Sequence, residues 1–297
     1  MVDTQEQAIP RHSAVLVTGA NGFVGSHVAD QFLQRGFKVR GVVRDVAKST
    51  WLATLFNAKY GPNNFELFLV KDMATEGAFD EATIGVSAVV HTASVMTFDH
   101  DPNMVIPAAV AGALNALKAS YARPSVKRFV LTSSSTAAYL PDFGDAESGS
   151  ATIEAETWND DAIRIDPVHQ GHSSMSGLVV DMWHGQKPQR LDVLPAQYFI
   201  DVQDCARLHV AGTVLSDVHD ERIFGFAGRF NWADVSDILR RQNPEKTFAE
   251  KVAGGRDYHV IKPRARAEQL LRAMGQDGWT SLEQSIWQNT EHLRSEK

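Results

Sequence analysis

The sequence predicts an α/β protein: a doubly wound parallel sheet with a smaller C-terminal lobe. Three observations lead there. Short apolar, β-branched runs alternate with helically spaced segments between residues 14 and 132. The first apolar run ends in a glycine-rich turn that opens a helix. Beyond residue 132 the alternation stops, and regular patterning returns only near 198.

Each element has its own reason. Residues 1–12 are polar and are expected to be disordered. Residues 14–18 (AVLVT) are a short apolar run stopped by a glycine, which reads as a buried strand. Phe23, Val24, Val28, Phe32 and Leu33 carry helical spacing over 23–35, and Gly36 ends that helix. Residues 38–43 read as the second strand. Residues 47–59 read as a helix with Trp51, Leu52, Leu55 and Phe56 on one face. Strands follow at 65–70 and 86–91, then a long helix at 105–121 with Pro107 near its start, then a strand at 128–132. Residues 141–161 are acidic and read as a solvated loop. Between 166 and 197 the one clear apolar face is 175–183. Helices are expected at 231–241 and 264–295. The implied organisation is a sheet domain over 13–165 and a substrate-covering lobe over 166–297, interleaved with it.

Composition narrows the function. Of the 297 residues, 43% are hydrophobic and 22% charged, as in an ordinary soluble globular protein. The net charge of −7 offers no basic face, so nucleic acid is not an expected partner. The single cysteine, Cys205, allows no internal disulfide and no cysteine-built zinc site. The N-terminal residues lack a basic start and an apolar stretch. No uninterrupted apolar run reaches the roughly 18 residues of a membrane span. A cytoplasmic location and no membrane partner are therefore expected.

The glycine-rich turn carries chemistry. Thr18-Gly19-Ala20-Asn21-Gly22-Phe23-Val24-Gly25 spaces its glycines as G-x-x-G-x-x-G between a strand and a helix. Gly19 permits the tight turn. Gly22 lets backbone approach a pyrophosphate, and Gly25 lets helix and strand pack closely. The helix N-terminus offers free N–H groups and the positive end of its dipole to phosphate. This is the Rossmann-type signature for a dinucleotide. The second strand ends in Val42-Val43-Arg44-Asp45, with Lys48 beyond. Arg44 and Lys48 together suit a ribose 2′-phosphate and favour NADPH. Asp45 leaves NADH open as the less favoured cofactor.

With these residues in view, the chain resembles the short-chain dehydrogenase/reductase superfamily, in its extended or atypical branch. It is most similar there to fungal aldehyde and ketone reductases and plant dihydroflavonol reductase. The segments VTGANGFVGSHVADQFLQRG, VVRDVAK, VKDM, VVHTAS, VKRFVLTSS, FIDVQDCARLHVAG and GWTSLEQSI carry the resemblance across most of the chain. It implies that Gly19, Asn21, Gly22, Phe23 and Val24 hold the pyrophosphate. It implies that Arg44 and Lys48 hold the 2′-phosphate and that Asp72 and Met73 flank the adenine. Thr92, Ala93 and Ser94 would line the path to the nicotinamide ribose. Ser134 would be the catalytic serine, with Ser133 and Ser135 as neighbouring alternatives in register. Without the family, Ser134 reads as a cap or turn serine.

One part of the family's chemistry is missing. It needs a Tyr and a Lys four residues apart on one helix, the Tyr donating a proton to the carbonyl oxygen and the Lys lowering its pKa. No Tyr occurs between Tyr139 and Tyr198, and no Lys between Lys127 and Lys187. The text runs from Glu156-Thr157-Trp158-Asn159 into Asp166-Pro167-Val168-His169 as if a block were absent near Ile165. That block would have carried the Tyr/Lys helix and one strand. Tyr258 and Lys262 share the spacing but lie in the C-terminal lobe and read as coincidence.

Competing constellations are weaker. His169, His172 and His184, with Asp181, make a poor metal set, because Gly171 argues against a shared helix face. No metal is expected. Ser173 has no G-x-S-x-G elbow around it. Trp183, Tyr198 and Phe199 suit a substrate pocket or a core equally. The resemblance thus implies an NADPH-dependent reductase of an aldehyde or ketone, of the kind found in fungal secondary metabolism. The missing pair keeps a second reading: a catalytically inactive dinucleotide-binding protein, or a truncated splice or gene-model product. Neither reading fixes the substrate or the oligomeric state.

Overall fold

The computed structural model describes residues 7–95, 101–141, 150–159, 175–186, 191, 194–249 and 254–294. Residues 1–6, most of the acidic loop, the junction at Ile165, and His169, His172 and Ser173 lie outside the described residues. The chain divides into two compact units. One comprises Met1–Ser133, Val202–Glu221 and Ala273–Gly275; the other comprises Ser134–Asp201, Arg222–Arg272 and Gln276–Lys297.

The first unit holds the sheet. Its elements are β1 (Ala14–Thr18), α1 (Phe23–Gln34), β2 (Lys38–Val43), α2 (Thr50–Tyr60), β3 (Phe65–Leu69), β4 (Val86–His91), α3 (Pro102–Tyr121) and β5 (Arg128–Leu131). All five strands are parallel, in the order β3-β2-β1-β4-β5. Val15, Leu16 and Val17 are fully buried, as a strand covered on both faces demands. One core is built from Leu16, Val42, Val86 and Val89 of the sheet with Phe79 and with Ala116 and Ala119 of α3. The order reverses at β1, where β2 lies on one side and β4 on the other. The register sets Thr18 level with Val42 and with His91, so three loops emerge side by side at the carboxyl ends.

Several sequence expectations change here. The segment expected to be disordered is partly tied down. Ile9 is buried, Ala8 N–H donates to Val214 at 2.9 Å, and Gln7 bridges Leu215. The 47–59 helix opens with a 3₁₀ turn at Ala47–Ser49. Of its four apolar residues only Leu52 and Phe56 are buried, while Trp51 and Leu55 are half exposed. The long helix starts three residues early. Asp101 caps it by accepting from Asn103 N–H at 2.9 Å, and Pro102 takes the first position, where no N–H is needed. At 20 residues and mean hydropathy 1.2, α3 is long and apolar enough to cross a membrane by length and composition. Asn103, Asn115 and Lys118 interrupt its apolar residues, so the sequence holds no uninterrupted run of that length.

α5 (Val202–Val214) also belongs to this unit and lies along α1. Gln31 Nε2 donates to Gln203 Oε1 at 2.8 Å, and Gln203 Nε2 lies 2.8 Å from His27 Nδ1.

The second unit contains β6 (Thr152–Ile153), α4 (Met175–Trp183), β7 (Gln197–Phe199), β8 (Gly228–Phe230), α6 (Trp232–Gln242), β9 (Val260–Ile261), α7 (Arg264–Ala273, whose last residue joins the first unit), α8 (Leu282–Asn289) and α9 (Glu291–Arg294). β6 pairs with β9 in parallel and β7 with β8 antiparallel. The apolar face at 175–183 packs Leu178, Val179, Met182 and Trp183 against Trp232, Val235, Leu239 and Ile286. The expected 264–295 helix is instead three pieces. Gly275 and Gly278, at φ +88° and +144°, turn the chain out of helical geometry. α6 carries a complete capping box between Asn231 and Asp234.

His91, fully buried, and His209, half-buried, both contribute to the acid limb of stability. Burial lowers His91 from 6.5 to about 4, and burial also lowers His209. Both fold in the neutral form, and the unfolded chain binds protons more readily. Stability is therefore complete above about pH 6.5 and falls as pH drops toward 4, with His91 alone contributing about 3 kcal/mol of that loss. The midpoint of urea unfolding is expected to decline steadily from pH 6.5 to 4.5, and a His91→Asn variant should show a shallower decline.

Candidate functional site

The glycine loop is shaped by close contacts. Gly19 has φ +64°, and a Cβ there would lie 3.1 Å from Ala93 Cα. Gly22 N–H donates to the Gly19 carbonyl at 2.9 Å and serves as N-cap of α1 without any side-chain cap. A Cβ on Gly25 would lie 2.2 Å from Gly19 O and 2.9 Å from Thr92 Oγ1. The loop thus folds back onto the first turn of α1, as the spacing predicts. No acidic residue stands in that first turn, so the positive end of the helix is left uncompensated.

Thr18 fastens the loop to the next strand. Its hydroxyl accepts from Thr92 N–H and Ala93 N–H, each at 3.1 Å, and lies 3.0 Å from His91 Nδ1. With two donors already pointing at it, the hydroxyl spends its own proton on His91, whose neutral ring accepts at Nδ1. Thr92 Oγ1 returns a bond to Thr18 O at 2.6 Å. Thr92 and Ala93 are therefore placed beside the glycine turn by hydrogen bonds, with exposed Ser94 next in the chain.

A second link runs to the loop after β2. Ser49 is fully buried; its hydroxyl accepts from Asn21 Nδ2 at 3.1 Å and donates to Asp45 O at 2.7 Å. Arg44 is exposed, and Lys48 has its side chain 85% exposed. Asp45 is engaged locally, accepting from Lys48 N–H at 3.1 Å. Asp72, after β3, accepts from Ala74 N–H at 2.9 Å and from Thr75 Oγ1 at 3.3 Å. Met73 packs on Gly112 of α3. The structure therefore brings Gly19, Asn21, Gly22, Phe23, Val24, Gly25, Thr92 and Ala93 together, with Arg44 and Lys48 tied in through Ser49. Thr18 and Ser49 are the residues the motif reading missed. A threonine ending a strand and a serine before a helix carry no signal until the strand register places them.

Ser134 opens the second unit. It caps the 3₁₀ turn Ser135–Ala137, its hydroxyl 2.8 Å from Thr136 Oγ1 and 3.3 Å from Thr136 N, and it is exposed. Nearby in this unit, Tyr139, Asp257 and His259 form a buried network. Asp257 accepts from Tyr139 OH at 2.7 Å, from His259 N–H at 2.9 Å, and pairs with His259 Nδ1 at 2.8 Å. Nothing in the sequence joins residues so far apart. Burial first, then the Asp257 carboxylate, pushes the Tyr139 phenol well above its ordinary value. A cavity of about 480 Å³ adjoins this network, lined by Tyr198, Arg229, Phe230, Arg256, Asp257 and Arg264. Tyr198 is thus a pocket residue, Trp183 a core residue, and Phe199 packs on Phe230 at 6.2 Å between rings.

The other tyrosines are also accounted for. Tyr60 donates to Asp30 at 2.7 Å, Tyr121 stands 92% exposed on α3, and Tyr198 donates to His259 O at 3.0 Å. Tyr258 and Lys262 flank the two-residue strand β9 rather than sharing a helix, and Lys262 pairs with Glu154. His184 is exposed, and no metal-type cluster of His, Cys, Asp or Glu occurs among the described residues.

Comparison with known proteins identifies a family. Residues 15–157 match the NAD dependent epimerase/dehydratase family. An aldehyde reductase 2 from Sporidiobolus salmonicolor is 33% identical, covering 96% of this chain and 97% of its own length. The chain belongs to the NAD dependent epimerase/dehydratase family. A ketoreductase, adrE, from Penicillium rubens is 34% identical over 96% of this chain and 98% of its own. Among solved structures, Gre2 from Candida albicans in complex with NADPH superposes with a TM-score of 0.76 at 24% identity, covering 97% of this chain and all of the other. Vestitone reductase from alfalfa superposes at 0.71 with 19% identity, over 95% of this chain and 99% of the other. These two establish the shared fold. The alignment with the Sporidiobolus protein spans 340 positions, more than the 297 residues of this family member. Since 96% of this chain supplies about 285 residues, about 55 positions of that alignment face no residue here.

The tightest contact gives the clearest test. Gly25→Ala forces its methyl into the Gly19 carbonyl, a backbone atom that cannot swing away, and should cost about 1–3 kcal/mol. Thermal unfolding is expected to show this loss. Gly85→Ala places its methyl in open space, at φ +77°, and reports the cost of positive φ alone.

Proposed function

We propose that the chain binds NADPH through the loop at the carboxyl ends of β1, β2 and β4, and that it descends from, and retains the frame of, a reductase of aldehydes or ketones. The observation that carries this is the uncapped N-terminus of α1 behind a glycine turn too tight for any side chain. That cradle suits a pyrophosphate. Asn21, Gly22, Phe23 and Val24 would present backbone and the Asn21 amide to it. Arg44 and Lys48 would clamp the 2′-phosphate; Asp45 accepts from Lys48 N–H through Oδ1 and keeps its other oxygen for the 2′-hydroxyl of NADH, the less favoured cofactor. Asp72 and Met73 would border the adenine, and Thr92, Ala93 and Ser94 the nicotinamide ribose. Full-length similarity to an aldehyde reductase and a ketoreductase supports a small carbonyl compound as substrate.

When bound, NADPH supplies a hydride to a carbonyl carbon. The chain's own part is to hold the carbonyl oxygen and deliver a proton to it. Ser134, with its hydroxyl on the surface, is the residue for the first task. For the second no tyrosine is suited. Tyr139 is raised far above neutral pH and points at Asp257, and no lysine stands four residues from a tyrosine on a helix of the described residues. A positioned general acid contributes roughly 10²–10⁴ in rate. Without such a group, reduction by this chain would be slow.

The lack of the pair favours a second reading, a dinucleotide-binding protein that does not turn over. About 55 positions of the alignment with the Sporidiobolus protein face no residue here, which supports a chain shorter than that relative. Intact mass of the protein from its source tests that: 32.7 kDa keeps the short chain, and a mass several kDa higher restores the block.

Binding and turnover separate the readings. NADPH should enhance in fluorescence on binding, and Arg44→Ala should lower the NADPH-over-NADH preference by about tenfold, the loss of one charge-assisted contact. An unchanged ratio would sink the NADP assignment. NADPH oxidation with aldehydes and ketones is expected to be at least about a hundredfold below that of relatives that keep the pair; none at all favours the binding-protein reading.

A further inference from the structure

Ser49 stands where a capping serine belongs and does not cap. It is the N-cap residue of α2, yet its hydroxyl makes no bond to the N–H groups of that helix. A serine there ordinarily accepts from the second or third helical N–H. Here the hydroxyl is turned to two loops instead, accepting from Asn21 Nδ2 at 3.1 Å and donating to Asp45 O at 2.7 Å. The direction of both bonds is fixed. A carbonyl can only accept, so the Ser49 proton goes to Asp45, and Asn21 must present an N–H. The oxygen that makes both bonds belongs to a fully buried residue, so no cofactor can touch it.

The two loops so joined have different tasks. Asn21 is an exposed residue of the glycine turn, and its amide keeps a second N–H. Asp45 opens the short turn that bears Arg44 and Lys48. That turn is closed by Lys48 N–H on Asp45 Oδ1 at 3.1 Å, by Ser49 N–H on Val46 O at 3.0 Å, and by the Ser49 hydroxyl on Asp45 O. Among the described residues no other side-chain hydrogen bond joins residues 19–25 to residues 44–49.

We propose that Ser49 is a specificity-determining positioning residue: it sets the preference for NADPH over NADH by holding the Arg44–Lys48 turn at a fixed spacing from the glycine turn. This rests on the NADPH reading above. The pyrophosphate and the 2′-phosphate of that cofactor hang from one ribose, so the two protein sites must keep one spacing. Arg44 and Lys48 are long, exposed side chains, and ordering them costs rotamer freedom. A backbone fixed beforehand leaves less to order on binding. Without the hydroxyl, Asn21 and Asp45 O lose their shared partner, and the turn can shift. NADH carries the same pyrophosphate, so the part of the loss that falls on Asn21 is common to both cofactors and cancels in their ratio. The part that falls on Arg44 and Lys48 does not cancel.

Dissociation constants of the full chain for NADPH and for NADH, from fluorescence titration, test this. Ser49→Ala should lower the NADPH-over-NADH preference about fivefold, the weight of one hydrogen bond. Ser49→Cys fills the same space with a weakly bonding thiol and should lower it likewise, which separates the hydroxyl from the effect of a cavity. In a chain that already carries Arg44→Ala and Lys48→Ala, adding Ser49→Ala should leave the preference unchanged, because the turn then has no charge to position. Circular dichroism and thermal unfolding show which variants are folded. A preference within about twofold of the unaltered chain in a folded Ser49 variant overturns the proposal, even if both cofactors bind more weakly. So does a loss of preference that persists without the two cations. If Arg44→Ala leaves the preference unchanged, the NADPH reading fails and the role of Ser49 falls with it. If Arg44→Ala lowers the preference and the Ser49 variants do not, only the role of Ser49 fails.

Discussion

A methyl group at position 25 would sit 2.2 Å from the carbonyl oxygen of Gly19, and the absence of that methyl lets α1 begin directly against the end of β1. From this one contact the carboxyl edge of the sheet takes its form. The tight turn leaves the first N–H groups of α1 without a cap. Thr18, at the end of β1, is then free to bind the backbone of Thr92 and Ala93, which draws the β4 loop alongside. Asn21 projects toward Ser49 and draws in the β2 loop. Three loops from three strands converge on one helix terminus, and a fixed positive dipole end stands among them.

His91 shows how that convergence is kept rigid. Its ring is buried between Phe79 and Phe129, at 6.0 and 6.4 Å between centroids, and accepts the Thr18 proton. A charged imidazole would lose both the acceptor role and its apolar surroundings, and burial accordingly holds it neutral. The polar fastening of the loops thus relies on an apolar cage around a single ring.

The second unit presents the opposite case, a polar network spent on structure. Asp257 is buried with three donors, and Tyr139 and His259 are held by it. A phenol whose proton is committed to a buried carboxylate is a poor acid, so the tyrosine nearest in sequence to Ser134 is removed from proton transfer by its own hydrogen bond. What remains intact is the cofactor cradle.

The sequence by itself determined the sheet and the cradle. Short apolar, β-branched runs mark β1 to β5, and three glycines at fixed offsets mark a turn that no other residue fits, because these are local requirements of backbone and pleat. The absence of a Tyr/Lys helix was equally legible, since a missing residue type needs no coordinates. Tertiary structure alone decided the rest. Ser49 and Thr18 matter only once the strand register sets them beside Asn21 and Thr92. Tyr139 meets Asp257 across 118 residues of chain. The break at Gly275 and Gly278 overrides a helical pattern that runs through both. Trp51 and Leu55 on α2 have apolar spacing that reads as buried, yet only Leu52 and Phe56 turn inward. Periodicity reports that a helix has an apolar face; only packing says what covers it.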